Sequence, residues 1–285
     1  MAEPRSICHL DGQLLPLREA RISPLDRSFL FGDGVYEVIA ARRGVPRRLA
    51  ANLARLSRSL SELSIANPHS DGEWRALVQE LIDANGGGDV YLYLQVSRGA
   101  EYGRNHAPLP HVAPLVFAFC APLPLPDAQV LASGVSCITA QDTRWARCDI
   151  KSVALLANVL LRQRAIDAGA AESILLRDGQ LTEASASSVC VIIEGEIRFP
   201  PDSPQRLPGT TGGLIAELAA AHGIPCRICP VSERELRGAA EIWLTAATRG
   251  AIAVTSLDGQ PVGTGRPGPL WQRMHALLEA YWLAD

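Results

Sequence analysis

Arg144-Trp145-Ala146-Arg147-Cys148-Asp149-Ile150-Lys151-Ser152 contains the only lysine of a 285-residue chain. Lysine and arginine together number 27, so every other basic position of this class is arginine. Arginine serves in surface ion pairs and in most phosphate contacts, but it does not deprotonate and cannot condense with an aldehyde. A primary amine with an adjustable pKa is lysine chemistry. A drift towards arginine removes lysine wherever arginine serves, so Lys151 is either a leftover surface residue or one kept for its amine. Its neighbours must decide.

Around that stretch the chain reads as a globular protein, 47% hydrophobic and 20% charged. The net charge of −3 gives no basic field of the kind nucleic acid requires, so DNA and RNA are not expected as partners. No apolar run reaches membrane-spanning length, and Met1 to Leu10 lacks the apolar stretch of a signal peptide; no membrane partner and a cytoplasmic location are expected. Seven scattered cysteines do not make a disulfide framework. His222, Cys226 and Cys229 have the spacing of half a zinc site but no second pair nearby, and they read as a helix end and a buried strand; no metal is expected.

The periodicities give an α/β (α+β) protein of two domains. Leu49, Leu53, Leu56, Leu60 and Leu63 share one face of a helix predicted over 49–63, and further helices are predicted over 72–84, 153–168, 213–222 and 269–283. Strands are expected at 90–96, 114–120, 135–139, 226–231, 241–246 and 251–255, with turns at Asp11-Gly12, Asp178-Gly179 and Glu194-Gly195. Ala121-Pro122-Leu123-Pro124-Leu125-Pro126 breaks both periods, because proline lacks the donor that a helix or strand interior requires. This divides the chain into residues 1–120, a linker at 121–128, and a second domain at 129–285 that carries Lys151.

No Walker loop surrounds Lys151 and no GxGxxG opens a helix. Leu207-Pro208-Gly209-Thr210-Thr211-Gly212-Gly213 precedes a predicted helix, and its backbone amides suit either a phosphate or an ordinary helix cap. Glu183 lies in a polar run, Thr182 to Ser188, that is either a turn or a carboxylate facing a ring nitrogen with hydroxyls beside it. Arg104-Asn105-His106 belongs to a loop rich in glycine and proline, either solvated or set to fork onto a carboxylate.

Together, Asp26-Arg27 with Phe31-Gly32-Asp33-Gly34-Val35-Tyr36-Glu37, the Arg144–Ser152 stretch and Thr182-Glu183-Ala184-Ser185 resemble, in order and spacing, the fold-type IV pyridoxal-phosphate enzymes. Within them the D-amino-acid aminotransferases are the nearest match. The resemblance implies pyridoxal 5'-phosphate bound to Lys151 as a Schiff base, with Lys151 also the proton shuttle and Glu183 paired with the pyridine nitrogen. It implies that Arg55, Gly209, Thr210, Thr211 and Thr248 hold the phosphate, and that Tyr36, Arg104 and His106 trap the substrate carboxylate. In the family the last two reach the site from a partner subunit, so a homodimer is implied. Asn52 stands where the family often has histidine, Ser188 where asparagine is usual, and Ala246-Ala247-Thr248 where more hydroxyls are common. The loop with Arg104 is one residue longer than usual.

The implied reaction moves the amino group of a D-amino acid to an α-keto acid in two half-reactions. Aminodeoxychorismate lyase shares the lysine, the glutamate and the scaffold, but Arg104 with His106 favours the transaminase. Branched-chain L-amino-acid and (R)-amine aminotransferases bind the carboxylate differently or not at all. A non-catalytic cofactor binder would not require the trap.

Overall fold

The computed structural model describes residues 3–284, which form two compact units. The first takes in the described residues through Pro124 together with Ile150–Leu155; the second takes in Leu125–Asp149 and the chain from Leu156 onward. Both are mixtures of helix and sheet. No described helix is long and apolar enough to cross a membrane.

The first unit runs β1 (Ile7–Leu10), β2 (Gln13–Pro16), α1 (Arg27–Phe31), β3 (Gly34–Arg42), β4 (Val45–Pro46), α2 (Leu49–Glu62), α3 (Asp71–Ala84), β5 (Val90–Ser97) and β6 (Leu115–Pro122). Its strands form an antiparallel sheet in the order β2-β1-β6-β5-β3-β4. Period-two alternation gives the sheet two different faces. Leu92, Leu94, Val96, Val116, Ala118 and Cys120 are buried on one, in a core that includes Leu49, Leu53, Leu56 and Leu60 of α2 and Trp74, Val78 and Leu81 of α3. Leu63, expected on the same helical face, is partly buried against this core. The opposite face carries rings: Tyr36 stacks on Tyr93 with centroids 5.6 Å apart, and Tyr93 on Phe119 at 5.3 Å. Asp26 caps α1 by accepting from the Ser28 amide, and Ser70 and Glu73 form a capping box at α3.

The second unit runs α4 (Ala128–Ser133), β7 (Val135–Gln141), α5 (Leu156–Asp167), β8 (Glu172–Arg177), β9 (Gln180–Ala184), β10 (Ser188–Ile193), β11 (Glu196–Phe199), α6 (Thr210–Ala221), β12 (Cys226–Ile228), α7 (Glu233–Arg237), β13 (Glu241–Ala246), β14 (Gly250–Leu257), β15 (Gln260–Pro261) and α8 (Pro269–Leu283). The sheet order is β12-β11-β10-β13-β14-β7-β8-β9, with β15 paired to β14. It is mixed, β7 running parallel to both β8 and β14. Its core joins Ile174, Leu181, Val189, Val191, Ile242, Leu244, Ile252 and Val254 to Val231 and Leu236. Glu241 anchors α8, accepting from the amides of Leu270 and Trp271 at 3.0 and 2.9 Å and from the Trp243 indole at 2.9 Å.

Several boundaries differ from the sequence reading. Lys151 was expected in the second domain, but backbone pairing draws its segment into the first: Ser152 bridges Val35, the Tyr36 amide donates to the Lys151 carbonyl at 2.9 Å, and the Val153 amide to the Gly34 carbonyl at 3.0 Å. Those bonds hold residues 151–155 out of the helix predicted from 153, and α5 starts at Leu156. The linker expected from 121 starts later, because Ala121 and Pro122 still pair with Tyr91 and Val90. Pro122 takes the last place of β6, where a missing donor costs the sheet least. Finally, α6 begins at Thr210, three residues before the predicted start, so Thr210 and Thr211 lie in its first turn.

Candidate active site

Lys151 is half-buried on an extended segment whose backbone is fixed from two sides. Besides the pairing with Tyr36, its own amide donates to Ser59 Oγ at 3.3 Å, a hydroxyl on the buried face of α2. The ammonium Nζ sits 4.2 Å from the centroid of the Tyr36 ring, so the phenol face stabilises the cation while the lysine stem is held over it. Close approach at this point depends on Gly32, which caps α1 at φ +70°. A side chain there would also meet Ala154 Cβ at 3.0 Å and Ala154 Cα at 3.2 Å.

Tyr36 and Glu37 are successive residues of β3 and so point to opposite faces of the sheet. Glu37 is fully buried and carries a fork from Arg55: Nε donates to one carboxylate oxygen and Nη2 to the other, both at 2.8 Å. Asn52 Nδ2 also donates to Glu37, at 2.8 Å. Arg55, which the resemblance assigns to a phosphate, is therefore oriented by a carboxylate that the sequence reading did not single out. Asn52 belongs to the same device.

Arg104 and His106 lie together in the exposed loop after β5, both against Phe31: the Arg104 guanidinium carbon is 5.0 Å from that ring's centroid and the imidazole 5.5 Å, edge-on at 61°. Neither makes a contact with Tyr36 in this chain among the described residues.

In the second unit Glu183 is buried on β9 and paired with Arg144 Nη1, while the Leu207 amide donates to the same oxygen at 3.3 Å. Arg144 is in turn held by Asp142, which accepts from Nε at 2.9 Å and from Nη2 at 2.8 Å; Asp142 also accepts from Thr182 Oγ1 at 2.9 Å. Burial raises the Glu183 carboxyl above the ordinary glutamate range, with Arg144 opposing it. That direction follows from the geometry, because Arg144 divides its charge between two carboxylates. Burial also opposes ionisation of Asp142, yet its bonds from Arg144 hold it below the usual range. The turn after Glu183 is fixed by Glu172, which accepts from Ser185 Oγ, from the Ala186 amide at 3.1 Å and from Ser187 Oγ at 3.1 Å, with Arg249 Nη2 at 3.3 Å.

Leu207 leads directly to Gly209, the N-cap of α6, which offers no side-chain cap to the helix's first amides. A Cβ on Gly209 would stand 2.7 Å from Ser188 Oγ. Ser188 is directly opposite Thr245 across β10 and β13, on the same sheet face, and Thr245 Oγ1 is buried with no hydrogen-bond partner. Amides without a side-chain cap, a glycine with room for nothing larger and an orphaned hydroxyl fit the needs of a phosphate group. Thr248 is half-buried in the turn between β13 and β14. Cys226 and Cys229 are free, half-buried thiols, and among the described residues no group of three or more potential metal ligands stands together.

Of the residues that shape this chemistry, Glu37, Ser59, Asp142, Arg144 and Glu172 were not singled out individually from the sequence. A polar residue at helical spacing within an apolar face, as Asn52 and Ser59 are in α2, was the signal available for one group. Glu172 sits in β8 and Asp142 just past the end of β7, where strand pairing alone reveals their partners.

Residues 34–257 match the amino-transferase class IV family. The chain is 39% identical to a D-alanine aminotransferase of Bacillus licheniformis over 275 residues, 96% of each protein, and 34% identical to that of Listeria innocua over 93% of this chain and 92% of the relative. Among solved structures, the branched-chain amino acid aminotransferase of Escherichia coli superposes with a TM-score of 0.91 at 22% identity, covering 98% of this chain and 95% of the other, which is a likeness of fold. A fold IV transaminase of Curtobacterium pusillum gives 0.81 at 27% identity, over 96% and 93%. With a matching family model over most of its length and relatives at 34–39% identity over nearly all of it, the chain belongs to the class IV aminotransferases.

Proposed function

We propose that this aminotransferase moves the amino group of a D-amino acid, D-alanine in the first instance, to an α-keto acid, with pyridoxal 5'-phosphate as cofactor. The observation that carries this reading is the pairing of Arg104 with His106 on one exposed loop, a charged fork and a second donor set for a carboxylate. The D-alanine aminotransferases at 33–39% identity over most of the chain support it.

Pyridoxal phosphate, when bound, supplies an aldehyde for the amine and a protonated ring that takes up the electrons released at Cα. Lys151, the only side-chain amine, would hold the aldehyde carbon, and its free amine would carry the proton at Cα. Tyr36 orients Nζ from below. Glu183 keeps the ring nitrogen protonated, its carboxylate kept in place by Arg144. In the second unit the first amides of α6, with Gly209, Thr210, Thr211 and Thr248, would hold the phosphate.

We also propose a homodimer: among the described residues no hydrogen bond or ring contact joins Arg104 or His106 to Tyr36 within one chain, so a second copy would bring them to one carboxylate. Leu156, Val159 and Leu160, all 60% or more exposed along one face of α5, offer an apolar surface for a second copy. A cytoplasmic location suits the seven free thiols.

The test is a half-reaction series with D-alanine, L-leucine and (R)-phenylethylamine on the unmodified protein and on Arg104→Ala. Losing one charge-assisted contact is worth about 1.5–3 kcal/mol, so the variant should lose roughly 10–150-fold in kcat/KM for D-alanine, far more than for the amine without a carboxylate. A clear preference for L-leucine, or no loss on D-alanine in Arg104→Ala, would contradict the proposal.

A further inference from the structure

Arg27 opens α1 with a side chain only 5% exposed. Its guanidinium donates from Nε to Asp33 at 2.8 Å, from Nη1 to Glu101 at 3.2 Å and to the Asn105 carbonyl at 2.7 Å, and from Nη2 to the His106 carbonyl at 2.9 Å. One buried cation thus grips two successive carbonyls of the loop that presents Arg104 and His106. Glu101 adds a second tie, its other oxygen accepting from the Leu109 amide at 2.8 Å. Asp33 is kept ionised at the base of this network: burial opposes its charge, but Arg98 and Arg27 hold it below the usual carboxylate range.

Four residues along α1 from Arg27, Phe31 lies on the same side of the helix. Its ring meets three groups: the Arg27 guanidinium at 4.8 Å, the Arg104 guanidinium at 5.0 Å and the His106 imidazole at 5.5 Å. Among the described residues this ring is the surface that the Arg104 and His106 side chains touch. A long exposed arginine otherwise loses much rotamer freedom on binding a ligand, and seating it on a ring beforehand removes part of that cost.

We infer that Arg27 and Phe31 are positioning residues for carboxylate recognition: Arg27 fixes the backbone of the loop, and Phe31 is the platform that aims Arg104 and His106. The inference rests on the assignment of those two residues to the substrate carboxylate. It also explains why the sequence departs from a freely solvated loop at this point. The main chain of an exposed segment is bonded to a buried side chain 78 and 79 positions away.

Arg27→Met would leave Glu101 buried without its cation and take from Asp33 one of its two arginines, which endangers folding, so Phe31→Leu carries the test. Propionate, a carboxylate with no amine, is titrated calorimetrically into the holoenzyme. Phe31→Leu should weaken propionate binding about tenfold, the size of one lost cation–ring contact, whereas Phe31→Tyr, which keeps the ring, should stay within about twofold. The visible absorption of the bound cofactor serves as the control for an intact holoenzyme in both. Equal affinity in Phe31→Leu and the unmodified protein would overturn the inference, as would an equal loss in Phe31→Tyr. Arg104→Ala separates the two levels. If it weakens propionate while Phe31→Leu does not, the platform alone is wrong; if it leaves propionate unaffected, the carboxylate assignment fails and takes the platform with it.

Discussion

Glu183 shows how one side chain is prepared by others. A buried carboxylate is costly unless it is paired, and Arg144 meets it while remaining forked onto Asp142. Burial also works against the charge of Arg144, but the two carboxylates together keep it protonated far above the range in which enzymes operate. The pair therefore fixes the position of the Glu183 oxygens without consuming both of them, since Leu207 and Arg144 address the same oxygen. Glu183→Gln keeps the shape and removes the charge, and Asp142 remains to balance Arg144. The variant should bind cofactor and fold normally, yet its single-turnover rate with D-alanine should fall by about 10–150-fold, the worth of one charge-assisted hydrogen bond. Rapid-mixing absorbance with one substrate equivalent reads this directly; an unchanged rate would move the role to another acid.

At the scale of elements, α2 connects packing to chemistry. Its apolar positions Leu49, Leu53, Leu56 and Leu60 lock it onto the core, and that fixed rotation presents Asn52 and Arg55 to Glu37 and Ser59 to the Lys151 amide. Leu56 is 1% exposed, so Leu56→Ala opens a cavity in the packing that holds all three polar groups. The expected cost is about 2–5 kcal/mol in urea unfolding, with the midpoint lowered and the slope unchanged. A loss below about 1 kcal/mol would mean that the helix is held mainly by its polar contacts. The segment at 151–155 is the complementary case: it has no helix or strand of its own and takes its shape from β3.

For the molecule as a whole, the sequence made the two-unit plan, most helices and the lysine legible, because apolar periodicity is local and a single lysine can be counted. The Leu49–Leu63 face and the strand at residues 90–96 were read close to where they fold. What escaped was long-range. Lys151 belongs to the first unit through bonds to Gly34 and Tyr36, more than a hundred residues earlier, and no periodicity reports such pairing. Glu37, Arg144 and Glu172 acquire meaning from partners that helix packing or strand pairing brings to them, and Arg27 grips a loop that looked solvated. The central claim is that Lys151 holds the cofactor. It is tested most directly by reducing the holoenzyme with borohydride and mapping its peptides. The account requires the pyridoxyl label on the peptide containing Lys151, with both label and visible absorption lost in Lys151→Ala. A stable label on the N-terminal amine alone, or a Lys151→Ala protein that still absorbs and turns over, would contradict it.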